Sequence, residues 1–572
     1  MSTPEGGYGK SRPGDPGARG GGPDQHPEDE RPEGERSAAP PVQAQYGEGE
    51  GSYVGRVARG AGISTVGQGG GRVLGFITQA IVARTLGAAF FGLYTLGMAI
   101  ANFVNILSQF GFDNGVVRYV AHYRAQGDNE RVRGAIIQSV VITFCISLVL
   151  ATAVFFGAGY ITELLNQPRA APIVRGFSFG LPFFALMSIL VWATQGFQTV
   201  TYATYVQQIL RPLAYFVLVL GVYLAVTFFV QGGGGDGPSR TALVGIFVAY
   251  AASMAAGVVL AVYFLRKLYP SLLDRSVKPK FETKALVSVS VPMSIQRITQ
   301  YTNNWTGVVV LGLFASASQV GIFQAAFRTA TLATLVRYAF NGIFSPIISN
   351  LHSQGEGEDL KRLYKDVTRW TFTGALGLFL VVVLLAEEAL RVFGGQEFTE
   401  GWTALIICAG AQLFSTFAGP SPRMLAMTGN QNVVMYGSLA GAITGIVVCV
   451  LLSPPLGIVG AAIGVSSAIT LENVISLTMV RRRFGFWPFT PEYIKPLAAG
   501  LIAAGLAYGM KLVLSLSLIP TIGVTAVVFG LAYVALLWLF GLSDTDREFL
   551  GSFWDVARRY LRRGNRDQEG AG

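Results

Sequence analysis

From Ala61 to Phe540 the chain is a nearly unbroken succession of apolar runs, each closed by a short polar gap. Helices and closed barrels are the two structures that satisfy every backbone amide inside a bilayer. A helix needs about 20 apolar residues to cross a hydrocarbon core of about 30 Å. The runs are of that length: near 61–84, 88–115, 134–158, 173–197, 203–230, 241–265, 285–312, 318–348, 370–387, 401–425, 431–452, 456–479, 495–516 and 520–541. Charged residues make up 13% of the chain, against about 25% in soluble domains. The expected fold is therefore all-α and polytopic, with about fourteen transmembrane helices.

The basic residues follow a rhythm. Gaps after every second run carry Arg118, Arg124, Arg131 and Arg133, then Arg266, Lys267, Arg275, Lys278, Lys280 and Lys284. Later ones carry Lys361, Arg362, Lys365 and Arg369, then Arg481, Arg482, Arg483 and Lys495, whereas the alternate gaps hold only Arg169, Arg175, Arg240 and Arg391. Lys and Arg mark the cytoplasmic side, so both termini are expected in the cytoplasm of a cell (inner) membrane protein. This placement accounts for the net charge of +10 without a nucleic-acid partner, which would need the charge clustered on one face.

Residues 1–56 are rich in Gly, Pro, Glu and Arg and are expected to be a disordered cytoplasmic tail. Residues 542–572 contain SDTDREFLGSFWDVARRYLRR. That stretch reads as an amphipathic helix with Phe549, Phe553 and Trp554 toward lipid and Arg558, Arg559, Arg562 and Arg563 toward headgroups. Cys145, Cys408 and Cys449 lie inside apolar runs without a CxxC pair, and His26, His122 and His352 are scattered. No metal set, cofactor site or hydrolytic centre is expected from them.

The chain also repeats itself. GAAFFGLYTLGMAI and SASQVGIFQAAFRT align Gly92 with Gly321, Leu93 with Ile322 and Tyr94 with Phe323, each pair 229 residues apart. Downstream, HYRAQGDNERVR near His122 matches LHSQGEGEDLKRL near His352. Two parallel six-helix lobes follow, 57–267 and 283–481, joined by a linker over 268–282 and followed by two further helices within 495–541. Lobes related by an axis along the membrane normal suit alternating access.

Ala83-Arg84-Thr85-Leu86-Gly87, Phe91-Gly92-Leu93-Tyr94, Phe110-Gly111-Phe112 and Arg118, with Pro292, Leu311-Gly312 and Val320-Gly321-Ile322-Phe323 in the second half, resemble the Wzx-like polysaccharide and oligosaccharide flippases. These belong to the multidrug/oligosaccharidyl-lipid/polysaccharide (MOP) exporter superfamily. The likeness covers about 60–550. It implies a two-lobed bundle like that of the MATE and MurJ proteins, no cofactor, and a polyprenyl-(pyro)phosphate-linked oligosaccharide as cargo. A polysaccharide polymerase or glycosyltransferase is the protein partner it suggests. Relatives often carry an acid in the seventh helix before the Leu-Gly pair. Here the sequence is Thr302-Asn303-Asn304-Trp305-Thr306, which removes the ion-coupling carboxylate from that position.

Ionisable residues inside a bilayer are functional by default. Here they are mostly arginines: Arg72, Arg211, Arg297, Arg328 and Arg337, with Arg423 near a helix end. Glu472 is the main acid deep enough to pair with them, and Asp113 stands near the end of helix two. Guanidinium forks suit phosphate and never deprotonate, so the five arginines are the expected lining of a cationic cleft for the diphosphate. Gln68, Asn105, Gln300, Asn303, Asn304 and Asn341 either line that cleft or bond helix to helix. The run Gly69-Gly70-Gly71 either unwinds helix one or packs it closely. Two other transporters fit the same pattern, a cation-coupled multidrug exporter and a peptidoglycan-precursor flippase. A membrane enzyme is disfavoured, because no paired-acid metal site is present.

Overall fold

The structure is a computed structural model that describes residues 50–229, 240–272, 278–514 and 516–541. Most of the expected N-terminal tail and the whole amphipathic segment after Gly541 lie outside the described residues, as does the side chain of Asn341. Residues from Val54 on form one compact unit.

Among the described residues the chain is built of helices without strands. In order they are α1 Glu50–Gln109, α2 Phe112–Ala125, α3 Asn129–Leu164, α4 Ala171–Ser178, α5 Leu181–Gln195, α6 Thr201–Thr204, α7 Arg211–Phe229 and α8 Arg240–Leu268. The second half has α9 Thr283–Phe314, α10 Ala317–Ala330, α11 Leu335–Gln354, α12 Gly357–Leu384, α13 Ala386–Gly394, α14 Trp402–Phe417 and α15 Ser421–Met427. It continues with α16 Gln431–Leu456, α17 Ile458–Phe484, α18 Ile494–Val513 and α19 Leu518–Leu539. Helix α1 already begins inside the stretch expected to be tail.

Nine of these helices are long and apolar enough to cross a membrane, or eleven if each of two bent pairs counts as one span. The expectation of fourteen exceeds this at three places. Helix α1 is two helices joined at a break at Gly87, where φ 75° and ψ 167° are open only to glycine, so the two expected runs are counted there as one. Helix α9 carries Arg297, Gln300, Asn303 and Asn304, and α10–α11 carry Arg328 and Arg337. Those polar side chains lower the mean hydropathy of two stretches that still fall at expected positions. The cost of placing them in lipid means they must face protein or water.

The helices pack in two bundles. In the first, α5 packs on α2, α3 and α8, and α7 on α8. In the second, α17 packs on α9, α14 and α16, while α14 packs on α10 and α12. The hairpin α18–α19 leans on α12. It is fastened by an Arg369–Glu492 ion pair at one end, and at the other by Lys511, which donates to the Leu384 carbonyl closing α12 (2.9 Å) and pairs with Glu388 of α13 (2.9 Å).

The bundles meet where the second half of α1 crosses α10. A Cβ added to Gly92 would collide with the carbonyl of Ala317, and one added to Gly321 with the carbonyl of Ala88. Ala88 and Ala317 are themselves 229 residues apart, so the two contacts are one contact repeated about a local two-fold axis. Such an isologous patch, in which i meets j and j meets i, is the signature of a symmetric interface. Close by, the Asn166 side-chain amide donates to the Leu313 carbonyl (2.9 Å), and that of Gln167 to the Ala315 carbonyl (2.9 Å). Side-chain amides of the first bundle thereby cap the end of α9 in the second.

Candidate functional site

Arg211 opens α7 directly after one π turn over Tyr205–Leu210, an irregularity that often marks functional positions in helices. Its guanidinium interacts with Tyr94, Tyr215 and Tyr250 and approaches the Met254 sulfur at 3.9 Å. Tyr94, fully buried on α1, shares a 2.8 Å hydroxyl–hydroxyl hydrogen bond with Tyr215. The same Tyr94 feels the charge of Arg328, which reaches in from α10 with its Cζ 5.6 Å from the centre of the Trp305 ring. Arg72, on the first half of α1, acts electrostatically on Arg328 in turn.

Two of the five expected arginines, one from each bundle, therefore come near Tyr94, and Arg72 of the first bundle comes near Arg328. Neither Arg211 nor Arg328 forms an ion pair among the described residues, and the Nε of each is buried without a hydrogen-bond partner. Like charges gathered in a poorly polarisable interior repel one another and favour an anion. An oxyanion with several acceptor oxygens answers both the charge and the idle donors.

The other two arginines are engaged elsewhere. Arg297 on α9 is ion-paired with Asp113 of α2, and its Cζ lies 4.8 Å from the centre of the Trp192 ring. Asp113 is wholly buried, so this is a charge bridge between the two bundles. Arg337 donates to the Ser415 hydroxyl at 2.5 Å and lines a small crevice with Phe340, Phe344, Thr371 and Thr416.

The polar residues divide likewise. The Asn303 amide donates to Glu472 (3.2 Å), which also accepts from Ser438 (3.2 Å), so the deep carboxylate is held by neutral donors. Gln300 and Asn304 are exposed on one side of α9. Asn105 is almost fully buried on α1 with its Oδ1 unpartnered, and Gln68 is half-buried. The helix stays regular through Gly69-Gly70-Gly71. A Cβ on Gly71 would strike the Gln208 carbonyl, whereas Gly69 and Gly70 meet open space, so Gly71 serves close packing and the run does not unwind. Among the described residues no group of three or more His, Cys, Asp or Glu is placed to hold a metal ion.

Sequence reasoning did not find Tyr94, Tyr215, Tyr250, Trp192 or Trp305 as parts of the site. An aromatic residue in an apolar run carries no signal of its own. Only the repeat alignment singled out Tyr94, and for another reason. Asp113 was visible as an acid near a helix end but not as the partner of Arg297.

A family model described as polysaccharide biosynthesis protein matches residues 57–352, and one described as MatE matches residues 292–451. Stage V sporulation protein B of Bacillus subtilis (strain 168) is 23% identical over 83% of this chain and 93% of its own length. The probable low-salt glycan biosynthesis flippase Agl15 of Haloferax volcanii is 23% identical over 77% of this chain and 87% of its own. Among solved structures, the lipid II flippase MurJ in its inward closed conformation superposes with a TM-score of 0.62 at 13% identity, covering 83% of this chain and 98% of that one. An inward-facing multidrug resistance MATE family transporter of the MOP superfamily gives 0.60 at 16% identity, covering 73% and 94%. The first family model spans more than half of the residues, and the chain therefore belongs to the polysaccharide biosynthesis protein family as a multi-pass membrane protein with the MOP superfamily fold.

Proposed function

We propose that this protein is a flippase that carries a polyprenyl-(pyro)phosphate-linked oligosaccharide from the cytoplasmic to the outer leaflet by alternating access. One observation carries the reading: Arg211 and Arg328, one from each bundle, both act on the buried Tyr94, each with an idle Nε and neither in an ion pair among the described residues, with Arg72 in electrostatic reach of Arg328. A diphosphate bound there touches both bundles and screens their mutual repulsion. The bundles act as lobes over 57–267 and 283–481, and the basic loops and both termini face the cytoplasm. The glycan-flippase name of one relative agrees with such a cargo.

A second reading, a cation-coupled exporter, draws on the Asn303–Ser438–Glu472 cluster and on the MatE match in the same half. A cleft dominated by arginine disfavours cationic drugs. Deleting the gene and profiling lipid-linked glycans by mass spectrometry separates the two. Build-up of a polyprenyl-linked glycan, cleared by wild type but not by Arg211→Ala plus Arg328→Ala at equal membrane levels, is expected. An unchanged glycan-lipid profile with lost resistance to cationic drugs sinks the flippase reading.

A further inference from the structure

The local two-fold axis pairs Arg72 with Tyr301 and Ala99 with Arg328, since each pair is 229 residues apart. On one side of the axis Arg72 acts on Arg328. On the other, the Tyr301 hydroxyl donates to the Ala99 carbonyl at 3.0 Å. The cleft therefore has two halves of common geometry and unlike chemistry, one cationic and one aromatic.

The aromatic half is continuous with the arginines. Arg328 stacks on Trp305 (5.6 Å), Trp305 lies nearly parallel to Tyr301 (6.3 Å, 22°), and Tyr301 meets Phe103 of the opposite bundle (5.2 Å). Exposure rises along this row, from nearly buried Trp305 to Phe103 at 37%. Gln300 and Asn304 stand beside it, one helical turn apart and exposed. Asn304 spends one amide proton on the Gln300 backbone carbonyl (2.7 Å). Its Oδ1 and the whole Gln300 side-chain amide make no hydrogen bond among the described residues. Asn304 sits ten residues from the end of α9, about 15 Å along the axis, deep within the span. Exposed amides at that depth are stable only where they meet water or a polar ligand.

We infer that the saccharide of the cargo lies along the row Trp305–Tyr301–Phe103, with Gln300 and Asn304 binding its hydroxyls, while the diphosphate sits at Arg328. This deepens the flippase reading above and rests on it. Flat aromatic faces take the apolar C–H faces of sugar rings, and an amide supplies donor and acceptor together, as vicinal hydroxyls require. Of the repeat partners, only Trp305 keeps an aromatic counterpart, Phe76; Gln300 faces Gly71, Asn304 faces Gly75 and Phe103 faces Leu332. Most of the furnishing for a sugar thus comes from the second half, with Phe103 added from the first.

The test uses the full chain in lipid nanodiscs and two probes: polyprenyl diphosphate without sugar and the same lipid carrying a trisaccharide. Wild type is expected to bind the glycosylated probe about tenfold more tightly, in line with a few stacked and hydrogen-bonded contacts. Phe103→Ala and, separately, Gln300→Ala with Asn304→Ala should close that gap to within about twofold while leaving the sugarless probe unaffected. Arg328→Ala should weaken both. If the Phe103 and Gln300/Asn304 variants weaken the two probes equally, or weaken neither, the saccharide assignment is overturned while the anion site stands. If wild type binds neither probe, the flippase reading falls and this inference falls with it.

Discussion

Asp113 and Arg297 show how unequal the two ends of one ion pair can be. The carboxylate is wholly buried, whereas the guanidinium keeps 26% of its side-chain surface exposed and rests on Trp192. Removing the arginine strands a buried charge, which costs about 3–5 kcal/mol. Removing the acid strands a charge that still has water and an aromatic face. Arg297→Ala is therefore expected to lower the melting temperature in detergent clearly more than Asp113→Asn. Combining the two should recover most of the loss, as coupled sites do. Equal single effects that simply add would show that the bridge carries no coupling between the bundles. Residues of this kind were half legible in the sequence. An arginine in an apolar run announces itself through its cost, but its partner lies 184 positions earlier, and no periodicity reports on that distance.

At the scale of elements, the crossing of α1 and α10 admits no side chain. Glycine at 92 and 321 lets main chains touch, which membrane helices exploit because lipid offers no hydrophobic drive to association. A leucine at either position must push the helices apart, since the obstructing atoms are backbone carbonyls of the partner helix. Gly92→Leu and Gly321→Leu are each predicted to raise the reactivity of a cysteine placed at Asn304 toward a membrane-impermeant thiol reagent added from the outer side. Gly69→Ala, which meets open space, should leave it unchanged. An Asn304→Cys reactivity indifferent to both leucine variants would mean that this crossing does not seal the cleft. Here the sequence spoke clearly, because two glycines in one register are a local signal. The count of spans was harder to read. Arginines and amides on α9–α11 make long helices resemble polar connectors, and the first two helices follow one another across the single non-helical residue Gly87 with no polar gap between them.

For the whole molecule, the bundles close on each other at two levels. Away from the basic loops they meet through the α1–α10 crossing and hydrogen bonds such as Asn166 to Leu313 and Arg84 to Val392. Nearer the basic loops they meet through the Arg297–Asp113 pair and the contacts of Arg131 and Tyr123 with Glu282. Alternating access needs each closure to yield while the other holds. A disulfide between cysteines at 166 and 313, where an amide now meets a carbonyl at 2.9 Å, is expected to stop transport of the lipid-linked glycan while leaving its binding intact, with reduction restoring the rate. Transport that continues at full rate with the cross-link formed would rule out separation of these two segments as a step. The all-helical membrane fold was legible from the succession of apolar runs. The division of labour among the arginines was not, because Arg72, Arg211 and Arg328 meet only once the lobes face each other.

The repeated contact at Ala88–Gly321 and Gly92–Ala317 also bears on how such a chain can change over generations. If both halves descend from one copied gene segment, their shared ancestor met itself at this crossing, and any change there was felt twice in the same assembly. Fusion into a single chain freed each position to vary alone. The crossing kept its matched small residues, while the cleft around it diverged into arginine on one side and aromatic rings on the other. On that history, the unlike chemistry of the two cleft halves is an acquisition of the fused chain, laid over a frame that still meets itself as a pair of like parts.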